Sequence, residues 1–156
     1  MQSDPAQVHR ESLEEEATHA TDEARMVLPG VQAVLGFQLI AVFNQRFELF
    51  SPGEQVLHLG AFLLVGLAMG LIMTPAAYHR QVERGVVTRR FVDLTSTLLT
   101  LAMMPLIAGL SIDAYLIARL ILDQRTEAAV VAAVLAMVLA GLWFALPAFC
   151  RRLKSR

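Results

Sequence analysis

Charged residues are absent from four long stretches of this 156-residue chain, although they make up 17% of the whole sequence. The stretches contain no Asp, Glu, Lys or Arg, and they run from Met26 to Gln45, Gln55 to Tyr78, Leu94 to Ile112 and Ala128 to Cys150. A helix of about 20 apolar residues crosses the hydrocarbon core of a bilayer, and uncharged stretches of about 18 or more are typical of spanning helices. A soluble protein could bury one such helix, but not four in so short a chain. We therefore predict an all-α polytopic membrane protein with four transmembrane helices in an antiparallel bundle.

Cysteine and the common catalytic motifs are also scarce or missing. Cys150 is the only cysteine, which excludes an intramolecular disulfide and a cysteine zinc cluster. The sequence has no glycine-rich phosphate loop, no His-Glu-x-x-His motif and no nucleophile elbow. The formal net charge of −1 provides no basic face for nucleic acid. We therefore expect no enzymatic activity, no cofactor, no metal and no nucleic-acid partner.

Ionisable side chains are missing from the middle of the stretches. Asp93 and Asp113 stand at the two ends of the third stretch, whereas pumps and proton relays place acids inside the bilayer. His58 and His79 lie at opposite ends of the second stretch, so they could not ligate one haem between helices. These positions argue against a proton-coupled transporter and against a bis-histidine haem protein.

The charged residues that remain divide the chain into three parts. Residues 1–25 hold seven acids, and they form an acidic, partly helical tail in which Ser12 and Glu15 have the spacing of a capping box. This tail is either a solvated helix or a docking surface for a basic partner. The transmembrane domain covers residues 26–150, with spans at about 26–47, 55–78, 93–113 and 128–150. Residues 151–156 form a basic tail.

Lysine and arginine predict the orientation of the chain in the membrane. The N-terminal tail, the segment 79–91 and the C-terminal tail together hold 10 of the 13 basic residues. Basic residues near span ends favour the cytoplasmic side, and four spans place both termini on the same side. We predict that both termini are cytoplasmic. Beyond Asp113, the apolar segment 115–123 either extends the third span or lies flat in the membrane interface.

Small and polar residues mark possible helix contacts. Gly66 and Gly70 are four apart on one helix face, a spacing that lets two helix backbones approach closely. The alanines of the fourth span repeat every four residues and predict a second packing face at Ala132, Ala136 and Ala140. In the first span, the amides of Gln32 and Gln38 favour hydrogen bonds between helices over ligand binding.

One polar cluster is predicted near the cytoplasmic face. Its candidate members are Gln32, His79, Arg80 and Asp93. Asp93 is expected to pair with Arg80 or His79 and to tie the second and third spans together. The alternative is a small site for an anionic headgroup or metabolite, with Arg80 as the charge contact.

Three motifs support a family resemblance. Leu-Pro-Gly-Val-Gln at 28–32, Arg-Phe at 46–47 and Pro-Ala-Ala-Tyr-His-Arg at 75–80 resemble recurring motifs of a bacterial family of small four-span membrane proteins classed as a domain of unknown function. The resemblance covers roughly residues 20–150. It implies a bacterial inner-membrane protein with four helices, and it supplies no activity, substrate or catalytic residue.

Three functional hypotheses follow from the sequence. The first is a non-enzymatic structural or interaction component that acts through self-association or a membrane-protein partner in the lipid bilayer. The alternative is a small channel or transporter for ions or small solutes, in which Gln38, Asn44 and the hydroxyls of the third span line a wet path. A lipid-acting enzyme at His79, Arg80 and Asp93 is less favoured, because no nucleophile or metal-binding motif accompanies them.

Overall fold

Four long helices account for most of the structure. The computed structural model describes residues 12–82 and 88–154. Parts of the two predicted tails and of the segment 79–91 therefore lie outside the described residues. The helices are α1 (Leu13–Val42), α2 (Pro52–Val82), α3 (Arg89–Leu122), α4 (Arg125–Ala140) and α5 (Leu146–Lys154). A π-helical turn at Gly141–Ala145 joins α4 to α5 without a break, and a short 3₁₀ turn at Gln45–Leu49 precedes α2. Four helical segments are long and apolar enough to cross a membrane, which confirms the predicted fold class.

The acidic tail is the first part of α1 rather than a separate helix. Ser12 Oγ accepts a hydrogen bond from the backbone N–H of Glu15, whose carboxylate accepts one from the N–H of Ser12. This is the predicted capping box. The helix then continues for 30 residues, because the residues before Pro29 are mostly good helix formers.

One face of the acidic segment of α1, residues 13–25, packs against the rest of the chain. Ala17 is buried with Phe91 and Val92 at the start of α3, and Tyr78 of α2 packs beside them. Glu16 forms an ion pair with Arg89. The acidic segment therefore covers the ends of α2 and α3.

The bundle has two ends that differ in their contents. The loop end contains the connections 43–51 and 123–124, and the terminal end contains Ser12 and Lys154. α2 packs most extensively on α3, α1 packs on both, and α4 packs mainly on α3. The core between the two ends is built from apolar side chains, namely Val31, Val65, Ala68, Ile72, Leu99, Ala102 and Leu106.

Among the glycines of the described residues, the close contact with a neighbouring helix lies at Gly109, not at the predicted glycine pair. A Cβ atom built on Gly109 would fall 2.7 Å from Val65 Cγ2 and 3.1 Å from the carbonyl oxygen of Ala61. On Gly66 or Gly70 it would meet no neighbouring atom of the described chain within 4 Å. The prediction of a close contact at this pair is therefore wrong within one protomer. α2 is apolar all round, so its glycine spacing does not reveal which face packs. A contact of Gly66 and Gly70 with a second protomer stays a prediction.

The alanine face of the fourth span is only partly packed. Ala132 and Ala136 are half-buried, whereas Ala140 is exposed, and Ala128 is the fully buried residue of α4. α4 lies at the edge of the bundle, so most of its surface is left for lipid. The π-helical turn that follows brings Trp143 against the core.

Segment 115–122 continues α3 without a break. α3 has 34 residues, which corresponds to a length of about 50 Å. It ends at Asp123, whose φ of 55° places it in the left-handed region. Of the two possibilities left open by the sequence, the extension of the third span is the one observed.

Candidate functional site

The structure does not assemble the polar cluster predicted at the terminal end. Val31 faces the core, so Gln32, one position further around α1, is exposed. Asp93 is 71% exposed, and its Oδ1 lies 3.9 Å from Nε of Arg89 on the same helix. The prediction that Asp93 pairs with Arg80 or His79 is therefore replaced by a pair within α3.

His79 and Arg80 do share a surface groove at the terminal end. The groove has a volume of about 670 Å³, and the first part of α1 contributes acidic residues to it. The ring of His79 packs against Phe91 with centroids 5.2 Å apart. Neither Gln32 nor Asp93 lines this groove, so the four predicted residues do not form one site.

A different polar group lies at the loop end, where three helices meet. Gln38 of α1 donates a hydrogen bond from Nε2 to Oδ2 of Asp113 in α3, at 2.7 Å. His58 of α2 lies between them, with Nε2 3.0 Å from the backbone carbonyl oxygen of Gln38 and Nδ1 3.7 Å from Oδ1 of Asp113. Gln38 and His58 are buried, at 4% and 7% exposure. We call Gln38, His58 and Asp113 the loop-end polar centre.

The hydrogen-bond partners determine the tautomer of His58. A backbone carbonyl can only accept a hydrogen bond, so Nε2 of His58 must carry the hydrogen. Nδ1, the other ring nitrogen, then faces the Asp113 carboxylate. The side-chain oxygen of Gln38 is buried and has no hydrogen-bond partner. The centre therefore contains more acceptors than donors.

A second layer of charged residues separates the centre from the loop-end surface. Glu54 accepts hydrogen bonds from the backbone N–H and the hydroxyl of Ser51, at 2.9 and 2.8 Å, and from Nε of Arg119 at 3.0 Å. Phe47 packs edge-on against the ring of His58, with centroids 5.4 Å apart. Asp113 lies six residues before Arg119, which is about 9 Å along α3. The polar centre therefore lies between the charged layer and the apolar core.

A groove between α1, α3 and α4 reaches the polar centre from the side of the bundle. Its volume is about 570 Å³, and Gln38, His58 and Asp113 are among its lining residues. The other lining residues are apolar, and they include Phe37, Phe50, Ala114, Leu135 and Leu139. A second groove of about 480 Å³ between α1 and α2 also reaches Gln38 and His58. In a bilayer, a molecule dissolved in the lipid could enter the first groove and meet Asp113.

Three hydroxyls of the third span form hydrogen bonds within their own helix. Thr95, Thr97 and Thr100 each donate to the backbone carbonyl one turn earlier, at 2.7–2.8 Å. This is the usual arrangement of hydroxyls in membrane helices. Asn44 accepts a hydrogen bond from the N–H of Arg46 and caps the short 3₁₀ turn.

Sequence reasoning missed the polar centre as a unit, although it singled out its amide. The prediction that Gln38 forms a hydrogen bond between helices is confirmed by its bond to Asp113. The signal that the sequence offers is that all three residues belong to the loop-end halves of their helices. Counted from the loop end of each helix, Gln38 lies four residues before the end of α1 and His58 lies six residues after the start of α2. Asp113 lies nine residues before the end of α3.

The centre can bind a proton or a hydrogen-bond donor, and the described residues offer no metal cage. Within residues 12–82 and 88–154, no three His, Cys, Asp or Glu side chains are grouped so as to hold a metal ion. The centre has two ionisable groups, one amide and no hydroxyl or thiol nucleophile. These groups can accept hydrogen bonds and can exchange a proton.

The family comparison agrees with the sequence motifs. The model of a family of unknown function, DUF6328, matches residues 6–147. A search of the curated proteins and a search of the solved structures each gave no match. The matched region includes all three residues of the loop-end polar centre and most of every long helix. The chain therefore belongs to the DUF6328 family of unknown function.

Proposed function

We propose that this chain is a non-enzymatic interaction component of a bacterial inner membrane, and that it binds a small membrane-soluble molecule at the loop-end polar centre. The observation that carries the proposal is that Gln38, His58 and Asp113, from three helices, meet at the wall of an otherwise apolar groove. Ionisable residues inside a membrane domain are costly and usually mark a functional site.

A purely structural role would not need all of these groups. The hydrogen bond between Gln38 and Asp113 alone ties α1 to α3. His58 adds a second ionisable group, and the Gln38 side-chain oxygen is left without a partner. Buried polar atoms are generally hydrogen-bonded, so this oxygen favours a ligand that supplies the missing donor.

The apolar core favours binding over passage through the bundle. On the terminal side of the polar centre, the space between the helices is filled by apolar core residues, among them Val65, Ala68, Leu99 and Ala102. A channel or transporter for ions or small solutes, the alternative, would need this packing to open. A lipid-acting enzyme is less favoured, since Asp93 is turned away from the groove that contains His79 and Arg80.

The proposed setting follows from the charge distribution. Ten of the 13 basic residues belong to the terminal end or to the tails beside it, so both termini are cytoplasmic and the loop end faces outward. Lipid surrounds the exposed apolar surface of the helices. Self-association or a membrane-protein partner at Gly66 and Gly70 is a further part of the proposal.

Filling the groove tests whether it holds a molecule. The parent protein, Ala114→Trp and Ala133→Trp are purified in one detergent, and their organic extracts are compared by mass spectrometry. Ala114 lines the groove, whereas Ala133 is exposed on α4 and serves as the control. We expect a small molecule in the parent and in Ala133→Trp that is lost from Ala114→Trp. Identical extracts from the three proteins, each still folded by thermal melting, would overturn the proposal.

A further inference from the structure

The Asp113 carboxylate can accept further hydrogen bonds. A carboxylate offers about four acceptor positions, and the hydrogen bond that Asp113 receives is the one from Gln38. The side chain of Asp113 is 18% exposed, and it lines the groove between α1, α3 and α4. A ligand in the groove can therefore reach this carboxylate.

The pair formed by His58 and Asp113 needs one positive charge or one proton. With a proton, the pair is an imidazolium beside a carboxylate, or a neutral imidazole beside a carboxylic acid, and its total charge is zero. Without it, the lone pair of Nδ1 faces the charged carboxylate at 3.7 Å, and the net charge is −1. An uncompensated charge in apolar surroundings is strongly unfavourable.

The neighbouring groups do not supply that charge. On α1 the facing polar group is Gln38, which is neutral, and α4 contributes Leu135 and Leu139. On α2 and α3 the charged groups closest along the chain are Glu54 and Arg119, which are paired with each other at 3.0 Å. The 3₁₀ turn whose Phe47 packs on His58 carries Arg46 and Glu48, and both of these side chains are exposed. The compensating charge must therefore come from a proton or from a cation that enters the groove.

The shape and lining of the groove indicate the type of cation. A hard metal ion prefers six or more oxygen ligands, whereas the groove offers one carboxylate among apolar side chains. Phe37 and Phe50 line the same groove, and aromatic faces attract cations that have shed their water. The unpaired Gln38 oxygen can accept from an ammonium N–H.

From these contacts we infer that the ligand is a lipophilic cation, such as an amine or ammonium with apolar substituents, which binds Asp113 in competition with a proton. The inference rests on the proposed function, because it names the class of molecule that the groove binds. Binding of the cation at a pH where the pair is protonated releases about one proton, by linkage.

Tetraphenylphosphonium is a suitable probe, and triphenylphosphine oxide is a neutral analogue of related shape. Binding of both to the purified full-length protein is measured by calorimetry at several values over about pH 5 to 9. We expect the affinity for tetraphenylphosphonium to rise with pH and to fall at least about tenfold in Asp113→Asn, since loss of a desolvated charge pair costs more than about 1.4 kcal/mol. Asp93→Asn, the same change at an exposed position, should bind like the parent.

The outcomes separate this inference from the proposed function. Equal binding to the parent and Asp113→Asn, or an affinity independent of pH in the parent, would overturn the assignment of a cation. If the neutral analogue binds more tightly than the cation and Ala114→Trp removes that binding, the groove is a binding site and only the cation assignment falls. If neither probe binds and the extract of Ala114→Trp equals that of the parent, both proposals fall.

Discussion

Gly109 of α3 packs directly on Val65 of α2, where an added Cβ atom would lie 2.7 Å from Val65 Cγ2. Val65 is fully buried in the core cluster. α2 and α3 therefore approach each other closely at a position where only a hydrogen atom fits. The contact lies one turn before Asp113, so it also fixes the distance between the helices that carry His58 and Asp113.

Gly109→Leu should force α2 and α3 apart and lower the stability of the protein in detergent. Overpacking typically costs about 1–3 kcal/mol. Gly60→Leu is a matched control on α2, because an added Cβ there meets no atom within 4 Å. Thermal melting of the monomeric protein should show a clear loss for Gly109→Leu alone. A melt of Gly109→Leu equal to that of the parent would contradict the packing described.

The hydrogen bond between Gln38 and Asp113 should appear as a coupling energy. Gln38→Leu and Asp113→Leu should each destabilise the protein by about 1–3 kcal/mol, because each leaves a buried polar partner without its bond. The double variant should lose less than the sum, by about 1 kcal/mol, since contacting residues are not additive. Gln32→Leu, at an exposed position of α1, with Asp113→Leu is the control cycle and should be additive. Additive losses in both cycles would show that Gln38 and Asp113 act independently.

The pair of Glu54 and Arg119 should stabilise the loop end. Their side chains are 11% and 17% exposed, and Nε of Arg119 donates to Glu54 at 3.0 Å. Arg119→Leu should cost about 1–3 kcal/mol because it leaves the Glu54 carboxylate without its partner. Arg125→Leu, at an exposed position at the start of α4, should cost much less. Adding Glu54→Leu to Arg119→Leu should recover part of the loss. Denaturant titration of the parent and of these three variants would detect a failure of either expectation.

The predicted orientation can be read from reporter fusions. A reporter after Arg156, or within 84–90, should behave as cytoplasmic, because basic residues near span ends favour the cytoplasmic side. A reporter within 51–53 should behave as external. A reporter between Asp123 and Gln124 should match the one within 51–53, since both connections belong to the loop end. The reverse pattern at any of these sites would contradict the orientation.

The four spans could be predicted from sequence because they depend on composition alone. A stretch without charge that is long enough to cross the bilayer has few alternatives. The first and last residues of the helices were harder to predict, as α1 and α3 show. α1 begins at Leu13 and α3 ends at Leu122, well outside the uncharged stretches, because helix propensity continues past the membrane boundary even where charges begin.

The contacts between helices could not be predicted in the same way. Gly66 and Gly70 have the spacing of a packing motif, but the apolar surface of α2 gives no sign of which face turns inward. Gly109, the glycine that packs, has no partner at that spacing. The face that a helix turns towards the core depends on the helices that pack against it. A uniformly apolar sequence such as that of α2 does not indicate this face.

The polar centre was missed for a related reason. Asp113 looked like the boundary of a span, and His58 looked like an isolated residue near a helix start. All three residues lie within about 14 Å of the loop ends of their helices. The uncharged stretches, however, give neither these helix ends nor the rotation that brings the three side chains together. The terminal-end cluster failed because it was chosen by depth alone, without the rotation that exposes Gln32 and Asp93.

The most direct test of the account is whether Asp113 can be reached from within the bilayer. Dicyclohexylcarbodiimide partitions into lipid and modifies protonated carboxyl groups in apolar surroundings, whereas a water-soluble carbodiimide modifies exposed ones. The account predicts that the hydrophobic reagent labels Asp113 in native membranes, that Ala114→Trp suppresses this label, and that the water-soluble reagent labels Asp93 instead. Peptide mapping by mass spectrometry that finds Asp113 unmodified by the hydrophobic reagent, while Asp93 reacts normally, would contradict a ligand-accessible carboxylate at the loop-end polar centre.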